Sequence, residues 1–292
     1  METSIGHVLP GLGFFLVGLW HMLNQMKLHF SQPKSHLCIQ WFPSPRIRYI
    51  ELFLIILGSL AFLSEEIFIG LQRRTLFDPD GTIPFSKLRK FEHANIAITI
   101  FMYAALSIIL DKVNPPAKYG MTQLLGAVIF GQQLLNFHFH STDHMGVEGQ
   151  YHFLLQVFIL VSFATTILGI PFPHSFMNGF VMSFSIMLQG FWLILMGVML
   201  WTPQYIPKGC FLNEDDDQYR HHVVMRCHDD EATKRAISLV NIQFGWCVIG
   251  FTVFVTLLYL VLFKCYSYRV PYNLLPTKFE DRKDELVLQD AT

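Results

Sequence analysis

Seven stretches of this sequence are long and apolar enough to cross a lipid bilayer, and this repetition limits the fold more than any other feature. A helix needs roughly 20 mainly apolar residues to span the hydrocarbon core. Because backbone polar groups find no water there, repeated segments of this length predict helices. The sequence therefore predicts an all-α, polytopic bundle of seven transmembrane helices, at residues 5–26, 47–69, 91–110, 119–140, 146–170, 176–201 and 236–263.

The composition agrees with a membrane protein and excludes one class of partner. Hydrophobic residues make up 52% of the 292 residues and charged residues 15%, whereas soluble domains usually carry about 25% charge. The 21 basic and 22 acidic residues nearly cancel, so no overall positive field attracts nucleic acid. We expect the lipid bilayer to be the main partner, and no nucleic-acid partner.

The hydrophilic connections between the apolar stretches are too short to form domains of their own. Residues 1–265 are therefore predicted to form one transmembrane domain. Residues 266–292 alternate acids and bases with few large apolar side chains, which predicts a disordered cytosolic tail. No internal repeat is visible, so the sequence offers no support for an inverted-repeat transporter.

Basic residues and cysteines predict how the chain crosses the membrane. No Lys or Arg precedes the first apolar stretch, whereas four lie between positions 27 and 48; the connection at 70–90 opposes this pattern with five. The positive-inside rule, applied to the first stretch, predicts a lumenal or outside N-terminus and a cytosolic C-terminus. Cys210 and Cys227 then fall on the lumenal side, where a disulfide would persist; two free thiols are the alternative.

Ionisable residues within the apolar stretches gather toward one end of the predicted bundle. Such groups are costly in hydrocarbon, so they usually face the bundle interior or a wet cavity. When the alternating helix directions are followed, the residues that meet at this end are His7, Glu65, Glu66, Glu92, His93, His138, His140, Asp143, His144, Glu148 and His152. This end is the candidate site of any chemistry.

The segment 136–152 is the densest part of this cluster. Ser141 or Thr142 is a suitable N-cap for the fifth helix, with Asp143 in its first turn. A helix that starts there carries a polar residue at every fourth position, at His144, Glu148, His152 and Gln156. At 3.6 residues per turn, this spacing predicts one polar stripe along the helix.

Three interpretations of the cluster remain open: a metal site, a proton or ion pathway, and an interhelical hydrogen-bond network that only fixes packing. The metal hypothesis has zinc bound by His144, His152 and one of His93, His138 and His140, with Glu148 or Asp143 as the base on a zinc-bound water. His138 and His140 are two residues apart, so on one helix they point in nearly opposite directions. The substrate in this hypothesis is a lipid amide or ester.

Several motifs resemble those of the transmembrane protein 45 family, and the segment from Asp143 to His152 is similar to the form found in its plant-type members. The motifs are Gly6-His7-x-Leu-Pro10-Gly11, Gly18-Leu19-Trp20, Glu92-His93, the segment from His138 to His152, and Leu188-Gln189-Gly190. The resemblance implies a multi-pass protein of the secretory pathway or plasma membrane, with no established activity. A more distant similarity, to seven-helix zinc hydrolases, lacks their paired histidines, since residues 236–263 contain none.

Overall fold

The structure, a computed structural model, describes residues 4–31, 37–69, 80–83, 85–142, 146–217 and 220–267. Within these ranges the chain forms seven α helices and one two-stranded hairpin. The helices are α1 (Ser4–Ser31), α2 (Ile50–Ser64), α3 (Phe85–Val113), α4 (Lys118–Thr142), α5 (Val147–Leu168), α6 (Phe176–Trp201) and α7 (Asp230–Ser267), and the strands are β1 (Cys210–Asp217) and β2 (Arg220–Cys227). The all-α class is therefore confirmed. Most of the predicted tail lies outside the described residues.

Each predicted apolar stretch coincides with one of these helices, but the helices differ in how well they suit a membrane. Five of those described are long and apolar enough to cross one: Ser4–Ser31, Lys90–Val113, Val147–Leu168, Phe176–Trp201 and Asp230–Tyr266. The other two are α2, which has 15 residues and continues as a five-residue π-helical turn, Glu65–Ile69, and α4, which carries several amide side chains.

Helices α1 and α6 approach closely because glycines line the surface between them. A Cβ atom on Gly11 would lie 2.8 Å from the carbonyl oxygen of Gly190, and one on Gly18 would overlap the backbone of Met187. Gly13, also on α1, has no atom of another segment within 4 Å of a Cβ position. Small residues at contact positions let membrane helices pack backbone to backbone, so α1 is held against α6 although four helices separate them in sequence.

The core lies around α5 and α6, whereas α7 packs at the periphery. Leu155, Ile159 and Trp192 are almost completely buried, while Trp246 on α7 is 68% exposed. Helix α7 touches the core through a stacked ring pair, Phe158 with Phe244, whose centroids are 4.9 Å apart. A helix with an exposed apolar face is expected where lipid is the solvent.

The connection between α6 and α7 contains a hairpin that the sequence analysis did not predict. Strands β1 and β2 pair antiparallel, with Cys210 opposite Cys227, and these two cysteines form a disulfide. The sequence left open a disulfide or two free thiols at these positions, and the structure has the disulfide. We call this end of the bundle, where α1 begins and α6 ends, the hairpin end; the opposite end, which carries the segment 37–49, is the loop end.

Candidate functional site

At the hairpin end, Glu66 and His93 form a buried contact between neighbouring helices. Nδ1 of His93 lies 3.4 Å from a carboxylate oxygen of Glu66, and both side chains are at most 7% exposed. Glu66 sits in the π-helical turn after α2 and His93 in the first third of α3. The predicted site residue His93 is thus placed in the bundle interior with a carboxylate beside it.

A second contact at the hairpin end joins His7 of α1 to His152 of α5. The two ring centroids are 5.9 Å apart in an edge-to-face arrangement, and His7 also packs on Trp201 at 4.7 Å. Nδ1 of His152 lies 2.9 Å from the backbone carbonyl oxygen of Glu148. Because a carbonyl oxygen only accepts, Nδ1 carries the proton of this hydrogen bond.

The start of α5 differs from the prediction. The helix begins at Val147, after Gly146, whose φ of 76° lies in the left-handed region that favours glycine. Ser141 and Thr142 belong to the end of α4, so neither is the N-cap of α5 and that prediction is wrong. The residue at the N-cap position is Gly146, and it makes no side-chain cap hydrogen bond.

Three residues of the predicted polar stripe lie on α5. Glu148, His152 and Gln156 follow one another along α5, and all three are buried. Asp143 and His144 lie outside the described residues. The later part of the stripe thus faces the bundle interior, as the four-residue spacing predicted.

The metal hypothesis stays a prediction. Within the described ranges, no group of three or more His, Cys, Asp or Glu side chains is close enough to hold a metal ion. Two predicted ligands, His144 and the side chain of His140, and the predicted base Asp143 lie outside the part of the chain that the structure describes. His138 is described, and its side chain is exposed on α4.

At the loop end, Glu51 of α2 forms a second buried site that the sequence analysis missed. One carboxylate oxygen accepts hydrogen bonds from Nε1 of Trp20 and from the backbone N–H of Phe42, both at 2.8 Å. The other oxygen lies 2.7 Å from Nε2 of His21, and the His21 and Glu51 side chains are 4% and 5% exposed. Buried histidines and carboxylates therefore occur at both ends of the bundle.

A signal for the Glu51 site is present in the sequence. Glu51 is an acid within the apolar stretch 47–69, and such a residue marks an interior contact by default. Its partners on α1 are Trp20 and His21, and Trp20 belongs to the Gly18-Leu19-Trp20 motif. What the sequence lacks is any indication that positions 20, 42 and 51 lie side by side.

Comparison with known families places these residues in context. The model of a family of unknown function, DUF716, matches residues 119–260. The matched part runs from the start of α4 to near the end of α7 and includes Glu148 and His152, while Glu51, Glu66 and His93 precede it. From α4 onward, the chain is similar to this family whose function is not established.

Proposed function

We propose that this chain is a seven-span integral membrane protein that acts as a membrane scaffold or trafficking component, in which the buried His and carboxylate groups set the helix packing. The observation that carries the proposal is that these groups meet across helices: Glu66 with His93 between the π-helical turn and α3, and His7 with His152 between α1 and α5. Paired polar contacts of this kind hold membrane helices in register.

Two features support membrane crossing by α2 and α4 as well. Helix α2 and its π-helical turn together contain 20 residues, which at about 1.5 Å per residue reach about 30 Å. On α4, Gln123 and Gln133 are buried while Leu124 and Leu135 are exposed. Apolar side chains outward and polar ones inward is the arrangement that lipid requires.

The two ends of the bundle support the orientation predicted from sequence. The disulfide of the hairpin suits an oxidising compartment, and so a lumenal or outside hairpin end. The loop end carries Arg46, Arg48, Lys112 and Lys118 around the connections of α2, α3 and α4, which suits the cytosolic side. The C-terminus is then cytosolic, in a secretory-pathway or plasma membrane.

Thiol labelling of intact cells tests this orientation. After mild reduction, a membrane-impermeant maleimide is expected to label Cys210 and Cys227 from outside in protein at the cell surface. Cys265, near the end of α7 and exposed, is expected to react only after permeabilisation. Labelling of Cys265 in sealed cells, with the hairpin cysteines protected, would reverse the orientation.

The similarity to DUF716 supports, for residues 119–260, the resemblance to the transmembrane protein 45 family noted from the motifs. We extend this to a proposal of membership as a plant-type protein. The motif residues of α1 have structural roles that agree with the proposal. His7 contacts α5 and α6, and Gly11 and Gly18 allow α6 to pack closely against α1. Trp20 donates a hydrogen bond to Glu51.

A second candidate function is a zinc-dependent hydrolase of lipid amides or esters. One observation favours it: Nδ1–H of His152 donates to the Glu148 carbonyl oxygen, and metal-bound histidines usually have one ring nitrogen held by a hydrogen bond of this kind. Zinc would be held by His152, His144 and one further histidine of the predicted set, and it would supply an activated water.

Metal analysis and thermal unfolding of purified protein separate these two functions. The scaffold function predicts no stoichiometric metal after metal-replete growth without chelator, and a lower unfolding midpoint for His152→Ala. His174→Ala is a matched control, because His174 is exposed between α5 and α6 and is not one of the predicted ligands, so this variant should leave the midpoint unchanged. One zinc per chain in the native protein, lost in His152→Ala, would instead establish the hydrolase-type site.

A further inference from the structure

A cavity of about 220 Å³ opens at the loop end, between the segment 37–49, the end of α3 and the start of α4. Its walls are mixed. Trp41 and Leu28 supply apolar surface, Gln40 and Gln123 supply amides, and three charged residues, Arg48, Asp111 and Lys118, also line it. A concave site with apolar walls and a few convergent polar groups is the usual form of a small-ligand site.

The charges of this cavity sum to one positive unit. Nε and Nη2 of Arg48 donate to the two carboxylate oxygens of Asp111 at 2.8 and 3.2 Å, and Nζ of Lys118 lies 3.4 Å from the same carboxylate. Burial raises the pKa of the Cys38 thiol, which also lines the cavity, so it adds no negative charge. Both cations have more N–H donors than these contacts use, and a phosphate oxygen would accept from them.

The wall formed by the loop segment is held in place before any ligand arrives. The amide of Gln123 donates to the carbonyl oxygen of Cys38 at 2.8 Å, and the hydroxyl of Tyr103 donates to that of Gln40 at 2.8 Å. The N–H of Cys38 donates to the carbonyl oxygen of Pro173 at 2.6 Å. A wall ordered by these bonds reduces the entropy lost on binding.

We propose that this cavity binds the phosphate of an anionic lipid headgroup. A cavity of about 220 Å³ suits a phosphate with a small polyol but not acyl chains. Ile109 and Tyr119, close to Asp111 and Lys118 in sequence, are each at least 50% exposed and apolar enough for the chains to lie against. The inference rests on the membrane-spanning arrangement proposed above, in which this end faces the leaflet that carries most anionic lipid.

Lipid titration of the full-length protein in neutral detergent tests the proposal. Phosphatidylglycerol is expected to raise the unfolding midpoint in a saturable way, while phosphatidylcholine and inorganic phosphate at equal concentration are not. Lys118→Gln is expected to weaken the apparent affinity for phosphatidylglycerol about tenfold, since one charge-assisted bond is lost. Lys112→Gln is the matched control, because Lys112 is exposed at the same end and outside the cavity lining, and should change the affinity less than twofold.

A second variant keeps the test decisive if Lys118→Gln lowers stability without lipid. Arg48→Lys retains the charge and removes the planar guanidinium group that can bind two oxygens, so it should weaken phosphatidylglycerol binding severalfold.

Equal stabilisation by phosphatidylglycerol and phosphatidylcholine, or equal loss of affinity in the Lys112 and Lys118 variants, would overturn the proposal. Stabilisation by inorganic phosphate alone would also overturn it, in favour of a soluble phosphate site. Because binding is measured in detergent, its failure is distinguishable from a failure of the labelling test of orientation.

Discussion

The two ends of the bundle hold their buried carboxylates in different ways. At the hairpin end, Glu66 pairs with His93, which lies on the next helix in sequence. At the loop end, Glu51 binds two residues of α1 and the backbone of the segment before α2, through contacts of 2.7 to 2.8 Å. Both arrangements join consecutive helices, but Glu51 also accepts from the backbone of the segment before α2 through Phe42. Replacement of Glu51 should therefore disturb three segments at once and matter more for global stability.

Replacement of Glu51 is expected to have the larger effect. In Glu51→Ala, the indole of Trp20, the ring of His21 and the N–H of Phe42 all lose a buried acceptor. Removal of one partner of a buried charge pair typically costs about 3 kcal/mol or more, and we expect a loss of that size in the free energy of unfolding. Denaturant titration in mixed micelles measures it.

An exposed glutamate provides the control for Glu51. Glu231 lies at the start of α7 with an exposed side chain, so Glu231→Ala should change the free energy of unfolding by less than about 0.5 kcal/mol. If the Glu51 and Glu231 variants were equally stable, the contrast between the two ends would be lost.

Replacement of the hairpin-end pair should cost less. We expect Glu66→Ala and His93→Ala each to lower the free energy of unfolding, and the double variant to cost less than the sum because the pair is lost only once. The coupling energy should be about 1 kcal/mol, within the range measured for polar contacts between membrane helices. Additive effects would show that the two residues act independently.

The smallest expected effect concerns the docking of α7 near the hairpin end. The Tyr151 hydroxyl donates to the side-chain oxygen of Gln243 at 2.6 Å, and the ring of Tyr151 packs on Trp192. Tyr151→Phe removes the bond and keeps the ring, so the free energy of unfolding should fall by about 0.6 kcal/mol. A fall of 2 kcal/mol or more would mean that α7 is held by this bond rather than by its apolar face.

The helices were predictable because each needs only a local run of apolar residues, and all seven predicted stretches coincide with one. Their ends were less predictable: α7 begins at Asp230 rather than at residue 236, because polar residues extend a helix beyond its apolar part. Burial of Glu148, His152 and His93 was also expected from periodicity and helix direction. The Glu51 site was not, because its geometry depends on the path of the segment 37–49, which no periodic pattern encodes.

The close packing of α1 against α6 has a consequence for how the protein is made. Gly11 and Gly190 are 179 residues apart in sequence, and ribosomes add about 5 to 20 residues per second. Roughly 10 to 35 seconds therefore pass before the surface that α1 packs against has been synthesised. During that interval the glycine face of the first helix has no α6 to contact. Biogenesis factors that shield a first helix would act during this interval. A chain truncated before α6 would leave the glycine face of α1 without its packing partner.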